Sequence, residues 1–130
     1  MFVSEIKEKI KDAWLDYYEQ NQEIVGILAS EKYGERVSYD SKPYRYRCNS
    51  SFIIGVLCSL DSEISQFIKF SMSLNGDLDA IIEALGLNES PKVLYEKREE
   101  EREQAEQEAH LLPPVSPLDD IRQLNQKNQA

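Results

Sequence analysis

The chain has 130 residues, 41% of them hydrophobic and 30% charged, with a formal net charge of −9. That length holds one domain around a single core and is too short for two, and the high charged share predicts a folded part joined to a solvated part. The acidic balance argues against a general nucleic-acid binder and against adsorption to anionic lipid, since both begin with clustered positive charge; it leaves room for one locally basic loop.

Two cysteines, Cys48 and Cys58, do not make a disulfide framework. Cys58 lies in an apolar helical run, where cysteine behaves as a small buried hydrophobe. The opening MFVSEIKEKIKDAW is polar and amphipathic, so no secretory leader is expected. No stretch approaches the roughly 18 consecutive apolar residues of a spanning helix. A reducing, cytoplasmic setting without membrane insertion is the expectation.

In chain order, the first element is an amphipathic helix from Ser4 to Ala29, with Ile6, Ile10, Trp14, Tyr17, Ile24 and Leu28 on one face. Ser4 is its expected N-cap. From Ser30 to Ser51 the helical spacing stops. Gly34, Asp40, Ser41 and Pro43 favour turns, while Val37, Tyr39, Tyr44 and Tyr46 suit extended backbone. The segment reads either as a short hairpin turning at Asp40–Pro43 or as an irregular loop.

Helical spacing resumes with Phe52, Ile53, Val56, Leu57 and Leu60, capped by Asn49 or Ser50. Asp61 and Ser62 carry a second start signal before Ile64, Phe67 and Ile68, so this stretch is two helices with a tight corner or one bent helix. Gly55 would permit close helix approach. Asp77 then starts a short helix through Leu78, Ile81, Ile82 and Leu85, which Gly86 stops. Ser90-Pro91 opens the last helix, which becomes KREEEREQAEQEA, strongly helix-forming but nearly without an apolar face. Pro113 and Pro114 end it. Beyond them, Ser116-Pro117 could begin a small amphipathic helix at 117–126 with Leu118, Ile121 and Leu124, too short to be stable alone and suited to folding on a partner.

A search for reaction chemistry returns nothing. The single histidine, His110, sits at the end of the charged helix with no nucleophile expected beside it. One histidine and two cysteines ten positions apart do not match zinc spacing, and five scattered glycines form no phosphate loop. No catalytic, cofactor-binding or metal-binding residue is nominated. The one concentration with functional content is the loop around Tyr33 to Arg47, where Arg36, Lys42, Arg45 and Arg47 interleave with Tyr33, Tyr39, Tyr44 and Tyr46. Arginine with tyrosine is frequent hot-spot chemistry at protein interfaces and also forms single-stranded nucleic-acid platforms. The competing account is that these arginines pair with the chain's own surplus carboxylates while the tyrosines cover the core.

Trp14-Leu15, Tyr17-Tyr18 and Asn21, then Phe52-Ile53-Ile54-Gly55-Val56-Leu57 and Leu60-Asp61, then Leu74-Asn75, Asp79, Ile82, Ala84-Leu85-Gly86-Leu87-Asn88 and Pro91 together resemble an uncharacterised family of small cyanobacterial proteins, domain of unknown function 5331. The resemblance spans about residues 5 to 95 and leaves the charged tail outside. Lys42-Pro43 and Asp61-Ser62 stand where the family's Arg-Pro or Glu-Pro steps are expected. The resemblance implies a cyanobacterial cytoplasmic setting near the photosynthetic machinery, and it supplies no activity, cofactor or catalytic residue.

The expected fold is all-α: a small bundle of four or five helices over residues 1–95, a basic-aromatic loop or short hairpin after the first helix, and a charged helix and tail at 96–130. The core should draw on Ile6, Ile10, Trp14, Tyr17, Phe52, Ile53, Val56, Leu57, Leu60, Ile64, Phe67, Ile68, Ile81, Ile82 and Leu85. The expected function is a non-enzymatic adaptor or assembly subunit that binds another protein through the loop or through Leu118, Ile121 and Leu124. A nucleic-acid-linked regulator using the loop, or a small-ligand-binding helical domain, is the alternative.

Overall fold

Helices form where apolar side chains recur at helical spacing, and polar side chains mark most of their ends. The computed structural model describes residues 2–37 and 44–111. Among them are six helices and one two-stranded ribbon, so the chain is predominantly all-α.

Helix α1 (Phe2–Gln20) buries Ile6, Ile10 and Trp14 at four-residue intervals. Because it starts at Phe2, Ser4 lies in its first turn rather than capping it. It also stops earlier than the apolar spacing predicts, and α2 (Gln22–Leu28) follows as a separate helix. The cause is Asn21, at φ −136° and ψ 39°. In an unbroken helix its backbone N–H would bond the Tyr17 carbonyl. Instead its side-chain amide donates to that carbonyl at 2.9 Å, and its backbone N–H turns to the Tyr18 carbonyl at 3.1 Å. After the break Val25 is buried, whereas Ile24, expected on the inner face, is 46% exposed.

Helices α3 (Ser50–Leu60) and α4 (Ser62–Leu74) resolve the second stretch into two helices with a corner. Asp61 is that corner: extended at φ −158°, it ends α3 and caps α4 by accepting the Ile64 N–H at 3.0 Å. Asn49 caps α3 by accepting the Phe52 N–H at 2.9 Å. Asp77 caps α5 (Leu78–Ala84) through the N–H groups of Asp79 and Ala80. At the far end Gly86 takes φ +76°, where only glycine sits without strain. Its N–H reaches the Glu83 carbonyl and that of Leu87 reaches Ile82, both at 3.0 Å, while the Leu87 side chain is fully buried. Pro91 then opens α6 (Pro91–Leu111).

Ring and ion contacts fix the helix directions. Lys9 meets Asp61 at 3.3 Å and Trp14 meets Phe52 with ring centroids 6.3 Å apart, so α1 runs antiparallel to α3. Tyr18 packs on Tyr95 at 5.5 Å, which holds the start of α6 to the end of α1. The core contains ten of the fifteen expected side chains. Tyr17, Phe52, Val56 and Phe67 are half-buried against it, and Leu60, beside the corner, is 47% exposed. Leu15, Tyr18, Val25, Cys48, Ile54, Leu87 and Leu94 complete it. Cys48, not Cys58, is therefore the buried thiol; Cys58 is half-buried. Gly55 is exposed with nothing within 4 Å of a built Cβ, so no helix approaches it closely.

The chain divides into two units, Met1–Glu96 and Lys97–Ala130. In the second, the described residues from Glu100 to His110 are all exposed.

Candidate functional site

The segment after α2 is a hairpin at its base. Strands β1 (Glu35–Arg36) and β2 (Tyr46–Arg47) pair antiparallel, Glu35 opposite Arg47 and Arg36 opposite Tyr46. The Val37 N–H extends the ladder to the Arg45 carbonyl at 2.9 Å. Gly34 makes this packing possible. A Cβ there would collide with the Arg47 carbonyl oxygen and lie 2.9 Å from that of Leu28 and 3.0 Å from that of Ser30. All three obstacles are backbone, so no side chain can swing aside.

Alternation along the strands then sorts the residues onto two faces. Glu35, Arg45 and Arg47 share the face turned toward α3, α5 and the α5–α6 connection. The Arg47 guanidinium, only 5% exposed, donates to Asn88 Oδ1 at 2.8 Å, the Cys48 carbonyl at 2.9 Å and Ser50 Oγ at 3.3 Å. It also pairs with Glu35 at 3.1 Å and Asp79 at 3.4 Å. Ser50 in turn donates its hydroxyl to Asp79. That hydrogen bond first, and then Arg47, hold the Asp79 carboxyl below its ordinary value. Arg45 forms a two-pronged pair with Glu89, at 2.7 and 3.1 Å, which raises its pKa further. Beneath the ribbon the Cys48 thiol points at the Val25 carbonyl, 3.7 Å away, and burial pushes its pKa up to about 11.

The opposite face carries Arg36, Tyr44 and Tyr46. The Arg36 guanidinium lies over the Tyr44 ring, 4.2 Å from its centroid, and Tyr44 is 45% exposed. Tyr46 is half-buried. Nearby in sequence, Lys32 sits over the exposed Tyr33 ring at 5.2 Å.

The residues nominated from sequence thus separate. Arg45 and Arg47 are engaged inward by the chain's own acids, and Arg36, Tyr44 and Tyr46 make the outer face. Tyr39, Lys42, Leu118, Ile121 and Leu124, with the short helix at 117–126, lie outside the described residues. Sequence reasoning missed the partners Glu35, Ser50, Asp79, Asn88 and Glu89. The signal was the parity of the strand: residues 45 and 47 must face one way and 44 and 46 the other. Among the described residues no group of three His, Cys, Asp or Glu could hold a metal ion, and no helix is long and apolar enough to cross a membrane.

Fold and site together define a small, predominantly helical domain with an ion-paired hairpin set on the N-terminal end of its third helix. The chain belongs to a family of unknown function, DUF5331, which matches residues 1–114. The match runs past Tyr95, where the resemblance was expected to stop, and so takes in the charged helix α6; a run of Glu and Arg offers no apolar motif by which to recognise it. No curated protein and no solved structure matches the chain.

Proposed function

We propose that this protein is a non-enzymatic adaptor or assembly subunit that binds another protein through the outer face of the hairpin. The observation that carries this reading is the sorting of the ribbon. Its inward arginines are held by five of the chain's own side chains and one backbone carbonyl, and that anchorage presents Arg36 stacked on the exposed Tyr44. A planar cation on an aromatic ring buries large area at little entropic cost, which is why Arg and Tyr dominate binding hot spots. The inward pairing of Arg45 and Arg47 speaks against a phosphate-driven nucleic-acid platform, because two of the cations such a platform needs are already neutralised. The setting this reading carries is the one the resemblance implies, a cyanobacterial cytoplasm and its photosynthetic complexes.

The test is recovery of partners from a native lysate by full-length protein, by Arg36→Ala/Tyr44→Ala, and by Leu118→Ser/Ile121→Ser/Leu124→Ser. A complex recovered by the wild type and lost with the first pair, at unchanged melting temperature, supports the hairpin. Loss only with the tail triple moves docking to the tail. Equal recovery by all three refutes both surfaces.

A further inference from the structure

A second surface stands apart from the hairpin, at the break after α1. Gln20, Asn21, Gln22, Glu23, Ile24 and Ile27 line an open cavity of about 390 Å³ there. At about 100° per residue, Glu23, Ile27 and Ile24 lie side by side on the face of α2 opposite Val25, the residue α2 buries. Ile24 and Ile27 are 46% and 47% exposed.

The fold does not account for three residues of this helix. Ile24 and Ile27 leave half their surface in water, and β-branched side chains are mediocre helix formers. Gly26 is the worst helix former after proline, yet its φ is ordinary and nothing lies within 4 Å of a Cβ built on it. Two isoleucines one turn apart on an exposed helix face offer the ridge of a second helix a groove to seat in, while Gly26, about 160° and 100° around the helix from them, lies off that face.

Charge decides the sign of the occupant. Glu23 lines the cavity, Glu31 is exposed just beyond α2, and among the described residues no lysine or arginine lines it. The nearest cation in sequence, Lys32, is drawn over the Tyr33 ring. The chain as a whole carries −9, so a second copy or another acidic surface meets repulsion here. We infer that the cavity at the α1–α2 break docks a basic amphipathic helix of a partner protein, its apolar side chains seated on Ile24 and Ile27 and its lysines or arginines beside Glu23.

The test uses full-length protein and a fluorescein-labelled helical peptide of leucine and lysine at amphipathic spacing, followed by anisotropy. Wild type should bind it, and Ile24→Ser/Ile27→Ser should weaken binding by about tenfold or more. Glu23→Lys should weaken it by about threefold and flatten its salt dependence. Phe70→Ser/Leu74→Ser, which alters another exposed apolar pair, and Arg36→Ala/Tyr44→Ala should leave it unchanged. That last variant separates this inference from the hairpin reading, since either surface can fail alone. Amide shifts of the wild type on titration should map to residues 20–27, which holds even if a variant proves unstable. Absence of binding, equal binding by Ile24→Ser/Ile27→Ser, shifts elsewhere, equal binding of a leucine–glutamate peptide, or Ile24- and Ile27-dependent self-association would each overturn it.

Discussion

Replacing Arg47 with methionine tests the account of the hairpin most directly. Methionine keeps much of the buried stem's volume and deletes the guanidinium. The loss is not that of a fully buried ion pair, which costs about 3–5 kcal/mol when one partner is removed. Glu35 and Asp79 have side chains 42% and 65% exposed, so water resolvates both carboxylates. What water does not reach is the region of Cys48, which is fully buried, and Ser50, which is 4% exposed. The Cys48 carbonyl loses the guanidinium as partner, at about 1–3 kcal/mol, while Ser50 keeps its bond to Asp79. With the Asn88 bond also gone, a net loss of about 2–4 kcal/mol follows, a large fraction of a small domain's stability. Trp14 is the only tryptophan and is fully buried, so its fluorescence reports urea unfolding. The midpoint should fall with little change in slope. A midpoint within about 0.5 kcal/mol of wild type, or full rescue by Arg47→Lys, which cannot reproduce the fork of donors, would refute the reasoning.

Gly34→Ala should destabilise by about 1–3 kcal/mol on the same assay, because its methyl meets three carbonyl oxygens of the backbone; Gly55→Ala, with open space around it, should be neutral or slightly stabilising. In native protein a disulfide exchange reagent should modify Cys58 readily and Cys48 only as fast as the domain opens, since Cys48 is fully buried with a pKa of about 11; equal rates would contradict the burial. Acid should unfold the domain through Asp61 and Asp79. Both have folded pKa values held below the ordinary 3.8, Asp61 chiefly by the Ile64 N–H and Asp79 chiefly by Ser50, so the unfolded chain takes up protons first. Their contribution is complete above pH 3.8 and is lost as pH falls below it through the folded values, and the loss should be shallower in Arg47→Met.

The helix ends were the most legible part of the sequence. Asn49, Asp61, Asp77 and Gly86 each mark a boundary by a mechanism that needs only local chemistry, a side-chain oxygen facing unpaired amides or a backbone free to turn left-handed. The break at Asn21 was not legible, because apolar residues continue at helical spacing across it and only the competition for the Tyr17 carbonyl reveals it. Ile24 was misplaced for that reason, while Leu28 still packs half-buried against the core. The burial of Arg47 was hidden differently. Arginine is ordinarily exposed, and its acceptors come from positions 35, 48, 50, 79 and 88, which no local pattern links.

The candidate loop shows how composition and geometry divide the work of inference. Counting charges gives a basic segment in an acidic chain, and from that count an electrostatic platform and an internally neutralised clamp look the same. Pairing Glu35 with Arg47 removes the ambiguity, because the period of two then sends 45 and 47 to one face and 44 and 46 to the other. The inward cations find Asp79 and Glu89, supplied by α5 and by the connection that follows it, so the hairpin is fastened to residues 32 and 44 positions further along the chain. A ribbon of two-residue strands is too short to stand alone. It is ordered here because its charged face is bound, and that is what leaves its aromatic face to the outside.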